Sequence, residues 1–280
     1  MVGSDLCLAP PLFMLYLSIN GVTYYVEIHG AGRPLLLLHG FTGSSQNWQP
    51  ILPGLTGHHQ VILVDVLGHG RTASPPGENR YAIERVAADL IVLIDQLGYA
   101  ETGILGYSMG GRLALFTAVT YPHRITHLIL ESASPGLPTA AERQARVAQD
   151  RELADWIEIN GIEAFVNRWE QLPLWASQQQ LSPEIQQQLH QQRLQNNPTG
   201  LANSLRGMGT GMQPSLWEHL PALAIPTLLL VGKLDTKFVT INRQMAALLP
   251  NAHLEIVPGV GHTVHLERPL AWQEAVTRNP

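Results

Sequence analysis

Ile104-Leu105-Gly106-Tyr107-Ser108-Met109-Gly110-Gly111 joins a short apolar run to a helical pattern through the pentapeptide G-x-S-x-G. The run reads as a buried strand, and Met109 to Tyr121 reads as a helix that Pro122 stops. In that context the two glycines let backbones approach where the chain turns sharply, so the serine can hold a strained conformation with its oxygen exposed. The amino end of the following helix favours negative charge nearby. The pentapeptide also arises by chance, and a serine can simply cap a helix, so the rest of the chain has to supply its partners.

On either side of this turn, strands alternate with helical patterns. Leu15 to Ile19 and Val22 to Ile28 are alternating runs joined by Asn20-Gly21, the dipeptide of a type I′ hairpin. Leu35 to Leu38, Val61 to Val66, Leu128 to Leu130, Pro226 to Val231 and Leu254 to Val257 read as buried strands. Ala82 to Leu97 repeats apolar residues at helical spacing and meets a stop signal at Gly98. This alternation predicts an α/β fold with a mostly parallel sheet flanked by helices. From about Pro138 to Leu220 strand patterning disappears, while helix formers, glutamines and Trp156, Trp169, Trp175 and Trp217 accumulate. The expected organisation is a core of residues 15–137 and 221–280, with a helical cap inserted at 138–220 over the carboxyl ends of the strands, where open α/β sheets bind ligands. Residues 1–14 are expected to be a disordered tail or a start-site artefact, with Met14 an alternative start. Gln178 to Gln192 reads as a solvated helix surface around Leu181, Ile185 and Leu189.

Composition excludes several classes. A net charge of -5, with 17 Lys and Arg against 22 Asp and Glu, leaves no basic excess for nucleic acid. Lys233 and Lys237 are the sole lysines, so nearly all fixed positive charge is guanidinium, a skew that by itself codon bias explains better than ligand recognition does. Cys7 alone can form no intrachain disulfide. No apolar run reaches membrane-spanning length, and Met1 to Leu17 lacks a basic start and carries Asp5, so a cytoplasmic protein with no membrane partner is expected. No spacing of His, Cys and carboxylates suggests zinc, and neither metal nor cofactor is expected. A monomer is the expectation, with oligomers left open.

The partners that Ser108 needs appear in the order serine, acid, histidine. Asp235 follows the strand Thr227 to Val231 through Gly232-Lys233-Leu234, and His262 follows the strand ending near Val257 through Pro258-Gly259-Val260-Gly261. An aspartate there is often only a turn former, but joint placement at strand carboxyl ends favours catalysis, with His262 taking a proton from Ser108 and Asp235 fixing its tautomer. His39-Gly40-Phe41 ends an earlier strand, and the N-H groups of Phe41 and Met109 would form an oxyanion hole. His39 and the histidine of Gly68-His69-Gly70 read as structural. Together these pieces, from about Leu15 onward, resemble the α/β-hydrolase superfamily, whose members catalyse many reactions.

More specific segments resemble the 2-succinyl-6-hydroxy-2,4-cyclohexadiene-1-carboxylate (SHCHC) synthase family of menaquinone and phylloquinone biosynthesis. They are Gly106 to Arg112, Glu131-Ser132-Ala133-Ser134-Pro135-Gly136-Leu137, Ala141-Glu142-Arg143 with Arg146, Phe165 to Leu174, Ser204 to Gly211 and Asp235-Thr236-Lys237-Phe238. The resemblance implies a lyase that eliminates pyruvate from a tricarboxylate, with Ser108 acting as a base and no acyl-enzyme formed. It also implies an anion-binding pocket made by Tyr107, Arg112, Arg146, Trp169 and Arg193. Blander roles compete: Arg146 lies four residues from both Glu142 and Asp150, Arg193 could serve a helix dipole, and Trp169 could be cap core. Arg112 resists such a reading, because an unpaired charge on a buried helix is costly. Lys233-Leu234 departs from the charged pair that the family more often carries before its acid, and the final helix is shorter than usual. A serine hydrolase of an ester or carbon-carbon bond remains the alternative, with a non-catalytic ligand-binding member of the fold behind it.

Overall fold

The computed structural model describes residues 13–278. Eight strands form one sheet: β1 (Phe13–Ile19), β2 (Val22–His29), β3 (Arg33–Leu38), β4 (His59–Val64), β5 (Thr102–Tyr107), β6 (Ile125–Glu131), β7 (Thr227–Gly232) and β8 (Ala252–Val257). Their order is β1-β2-β4-β3-β5-β6-β7-β8. β2 runs antiparallel to β1 and β4, and every other neighbouring pair is parallel. The helices are α1 (Leu52–Leu55), α2 (Ile83–Gln96), α3 (Met109–Thr120), α4 (Ala140–Trp169), α5 (Pro183–Leu194), α6 (Pro198–Met208), α7 (Thr236–Leu248), α8 (Val264–Glu267) and α9 (Pro269–Arg278).

The unbroken apolar runs follow from burial on both sides. Leu36, Leu38, Ile62 and Val64 pack against α2 and α3 on one face. Leu35, Leu37, Val61 and Leu63 pack against Trp48, Trp272 and α9 on the other. With a side-chain period of two, only a strand apolar at every position suits two covered faces. Local signals behave as the sequence predicts: Asn20 and Gly21 both have positive φ (48° and 78°), as a type I′ turn requires. Gly98 ends α2 at φ 83°. The N-H of Tyr99 donates to Ile94 and that of Gly98 to Asp95, closing a Schellman motif.

One boundary needs correction. β1 starts at Phe13, so Phe13 and Met14, expected within a 1–14 tail, pair with Ile28 and Glu27. Both are exposed, at 59% and 62%, so the ladder rather than burial holds them. The rest of that tail and Cys7 lie outside the described residues.

Between β6 and β7 the chain builds only helices and turns, here termed the cap. Thr139 and Glu142 form a capping box at the start of α4, and Gly161 (φ 78°) divides that helix into two stretches. Phe41, after β3, stacks edge-on against Phe165 and Trp169 of α4. Gln192 of α5 donates to Ser44, and Asn196 donates to the Thr42 carbonyl. These contacts seat the cap on loops leaving the carboxyl ends of the strands.

Candidate active site

The strand order brings the loops after β3, β5, β7 and β8 to one end of the sheet. Ser108 sits in the turn from β5 to α3 with φ 51° and ψ -106°, a region that L residues avoid. Its N-H is held by the Glu131 carbonyl at 2.9 Å. Glycines are required on both sides: a β-carbon on Gly106 would lie 2.4 Å from the Gly110 carbonyl oxygen, and one on Gly110 would lie 2.0 Å from that of Leu38.

Ser108, His262 and Asp235 form a hydrogen-bonded line. His262 Nδ1 lies 2.6 Å from Asp235 Oδ2, and its Nε2 lies 3.0 Å from Ser108 Oγ. Aspartate only accepts, so the network assigns the proton to Nδ1 and leaves Nε2 to accept from the hydroxyl. The other Asp235 oxygen accepts from the N-H of Phe238 at the start of α7. Lys233 and Leu234 donate their N-H groups to Val257 and Val260, so backbone bonds fix this loop and the departure in side chains is tolerated. Three rings pack around His262: Phe238 at 4.8 Å, Tyr107 at 5.4 Å and Trp175 at 5.8 Å between centroids. The line can move the Ser108 proton onto His262 while Asp235 balances the imidazolium.

Phe41 and Met109 flank the serine. A β-carbon on Gly40 would lie 3.6 Å from that of Ser108, which measures how closely the β3 loop passes. Neither the Phe41 nor the Met109 N-H meets an acceptor among the described residues, so both are open to donate. His39 is structural, as the sequence suggests: its Nδ1 donates to the Gly40 carbonyl and its Nε2 accepts from Val66 N-H. Among the described residues no group of three His, Cys, Asp or Glu could hold a metal.

Buried His39 and His69 give a pH prediction. Burial pulls His39 down to about 4 and His69, with help from His39 beside it, to about 3. Both values lie below the unfolded value of about 6.5, so the unfolded chain binds more protons, and the stability is complete above that value and lost as pH falls. Linkage sets the loss from pH 7 to pH 5 at about 3–4 kcal/mol. Urea unfolding at those two pH values is expected to show it, and a flat profile would contradict two neutral buried imidazoles.

A model described as the alpha/beta hydrolase fold matches residues 33–269. Over 260 residues the chain is 46% identical to a Bacillus subtilis (strain 168) protein provisionally named SHCHC synthase, covering 92% of this chain and 94% of that protein. It is 31% identical over 245 residues to the SHCHC synthase of Enterobacter sp. (strain 638), covering 86% and 90%. The solved structure of MenH from S. aureus superposes with a TM-score of 0.86 at 37% identity, covering 91% of this chain and 96% of that one. The chain belongs to the SHCHC synthase family.

The pocket residues that the SHCHC synthase resemblance implies fall into two groups. Tyr107, Arg193 and Trp169 gather near the serine. Tyr107 is buried, its phenol pushed up by burial, with Oη 2.8 Å from Thr263 Oγ1. Arg193 donates to Glu170 Oε1 at 2.8 Å and Gln178 Oε1 at 3.2 Å and lies over the Trp175 ring. It also stands in the last turn of α5, so the Glu170 pair adds to the helix-dipole role. Trp169 packs between Phe41, Phe165 and Trp175, yet its buried Nε1 has no hydrogen-bond partner among the described residues. Gly40, Phe41, Tyr107, Trp175, Gln178 and Arg193 help to bound a cavity of about 30 Å³, room for about one water.

Arg112 and Arg146 form the second group. Arg112 lies deep, with part of its side chain still accessible, and burial first and then Arg146 pull it down to about 10. Arg146 pairs with Asp150 at 2.7 Å and not with Glu142, whose carboxylate is engaged by Thr139 in the capping box.

Sequence reasoning missed several contributors in this SHCHC synthase family member. Gln178 and Gln192, read as solvated surface, are buried. Gln178 donates to Thr263 and accepts from Arg193, and Gln192 bonds Ser44 and Asn47. Their neighbours Gln187 and Gln188 are exposed. A period that separates these faces exists in the chain, but apolar residues alone do not mark it. Trp175 and Phe238 also went unassigned, since a ring near His262 has no local signature.

Proposed function

We propose that the chain is a carbon-oxygen lyase that eliminates pyruvate from 2-succinyl-5-enolpyruvyl-6-hydroxy-3-cyclohexene-1-carboxylate to give SHCHC. The observation that carries this reading is Arg112, one helical turn from Ser108 and free of any carboxylate partner among the described residues. A deep guanidinium with no carboxylate partner suits an anionic substrate and adds nothing to a neutral one. Family membership points the same way.

In this mechanism Ser108, relieved of its proton by His262, removes the acidic proton beside the succinyl ketone. The N-H groups of Phe41 and Met109 stabilise the developing enolate. Its electrons pass through the ring alkene and break the carbon-oxygen bond, so the enolpyruvyl group leaves as an enolate that takes up a proton, balanced by the one that the Ser108–His262 pair gives back, to become pyruvate. No covalent intermediate forms and no cofactor takes part.

The same hydrogen-bonded line would equally support acyl transfer, so the test must separate the two. Purified protein incubated with the enolpyruvyl precursor is expected to release pyruvate as the cyclohexadiene chromophore appears. A rate no faster than the spontaneous reaction, alongside hydrolysis of a neutral ester, would leave the hydrolase.

A further inference from the structure

We propose that Asp150 and Gln213 are positioning residues that make Arg146 and Arg112 the two jaws of one carboxylate clamp, Arg146 on the cap and Arg112 on the core. The proposal rests on the reading that these arginines meet substrate, and it says how they are aimed.

Each guanidinium is tethered at one nitrogen and open at the others. Arg112 Nη1 donates both to the Met208 carbonyl at 3.0 Å and to Gln213 Oε1 at 2.9 Å. Its Nε and Nη2 have no partner among the described residues. Arg146 gives its Nε to Asp150 Oδ1, which leaves the two terminal nitrogens, the edge that grips a carboxylate in a fork, unengaged. Arg193 is the contrast, because both of its terminal nitrogens are occupied by Glu170 and Gln178.

The tethers are themselves incompletely satisfied. Among the described residues, buried Asp150 has no partner for Oδ2, and fully buried Gln213 has none for Nε2. Leaving such atoms unpaired costs about 1–3 kcal/mol each, more for a charge, so packing alone would be served better by apolar side chains. Holding a guanidinium is what these polar groups add. One turn joins the two anchors: Met208 offers its carbonyl to Arg112, a β-carbon on the next residue, Gly209, would lie 2.5 Å from Asp150 Oδ2, and Gln213 closes the segment.

Charge sets the ligand. Two guanidiniums and one aspartate leave a single uncompensated positive charge, so the clamp takes one carboxylate of the substrate's three. Asp150 also keeps the arginines from repelling each other while the site is empty, and both Arg146 and Asp150 lie within electrostatic reach of Arg112.

The test is steady-state elimination kinetics of R146A, D150L, D150N, Q213L and the double variant D150L/R146A, with melting curves. R146A is expected to raise KM about tenfold, the loss of about 1.4 kcal/mol of binding. D150L is expected to match it in KM while kcat changes much less, and the double variant to be no worse than R146A alone, because Asp150 acts through that arginine. D150N keeps the acceptor and should restore most of the loss, and Q213L should raise KM through Arg112. Multiplying effects of D150L and R146A would overturn the positioning role, as would D150N behaving like D150L. If R146A leaves KM unchanged, the substrate reading of Arg146 falls, and the clamp with it.

Discussion

Replacing Ser108 with alanine is expected to lower kcat for the proposed pyruvate release by about 10³-fold, the usual worth of a positioned base in a proton abstraction. KM should change little, since the hydroxyl contributes to the transition state and not to recognition of the carboxylates. Asp235, His262 and the Phe41 and Met109 N-H groups stay in place, so the residual rate measures what the oxyanion donors and binding supply alone. Ser108 also stores strain: at φ 51° and ψ -106° its backbone is held by the Glu131 carbonyl and the closely packed glycines. Glycine at this position relieves strain of about 1–3 kcal/mol against an entropic cost of about 0.5–1 kcal/mol. S108G is therefore expected to be as inactive as S108A but to melt about 2–4 °C higher, for a gain of about 1 kcal/mol. An unchanged melting temperature would mean that the turn carries no strain, and an active S108A would remove the serine from the chemistry.

Arg112→Ala is expected to lower kcat/KM for the enolpyruvyl precursor by about 10²-fold, corresponding to about 3 kcal/mol for a charge-assisted bond made in a desolvated site. Hydrolysis of a neutral activated ester, measured on the same preparation, should fall far less, because nothing on that substrate pairs with the guanidinium. Arg112→Lys is expected to recover only part of the loss: a point charge cannot hold the Met208 carbonyl and Gln213 while offering a second edge to a ligand. Equal losses on both substrates would indicate a disturbed α3 and leave no electrostatic role for Arg112. Comparison of the two activities thus separates the lyase from an esterase on one fold, which Ser108 variants cannot do.

Much of the scaffold was readable from local chemistry. Asn20-Gly21 dictated its turn, Gly98 its helix stop, and the uniformly apolar β3 and β4 their two covered faces. The G-x-S-x-G segment also carried its own explanation, because the glycines answer to contacts within a few residues or to the neighbouring strand. The start of β1 was not readable, since Phe13 and Met14 remain exposed and are ordered by a ladder rather than by a buried face. Nor was the division of the glutamine stretch into buried Gln178 and Gln192 and exposed neighbours. An amide is buried only where partners exist, and those partners, Thr263, Ser44 and Asn47, are 85 to 148 residues away.

By itself the sequence determined the strand-turn-helix units, the order of serine, acid and histidine, and the surplus of guanidinium over ammonium. These depend on backbone preferences and residue types that act over a few positions. Tertiary structure alone decided which charges are spent and which remain available. Arg146 had two acidic neighbours at equal spacing, and the capping box claimed Glu142 and left Asp150 to it. Arg193 found Glu170, while among the described residues Arg112 met only a carbonyl and an amide. The worth of a charge is set by what surrounds it at a few ångströms, and the folded chain alone brings those surroundings together.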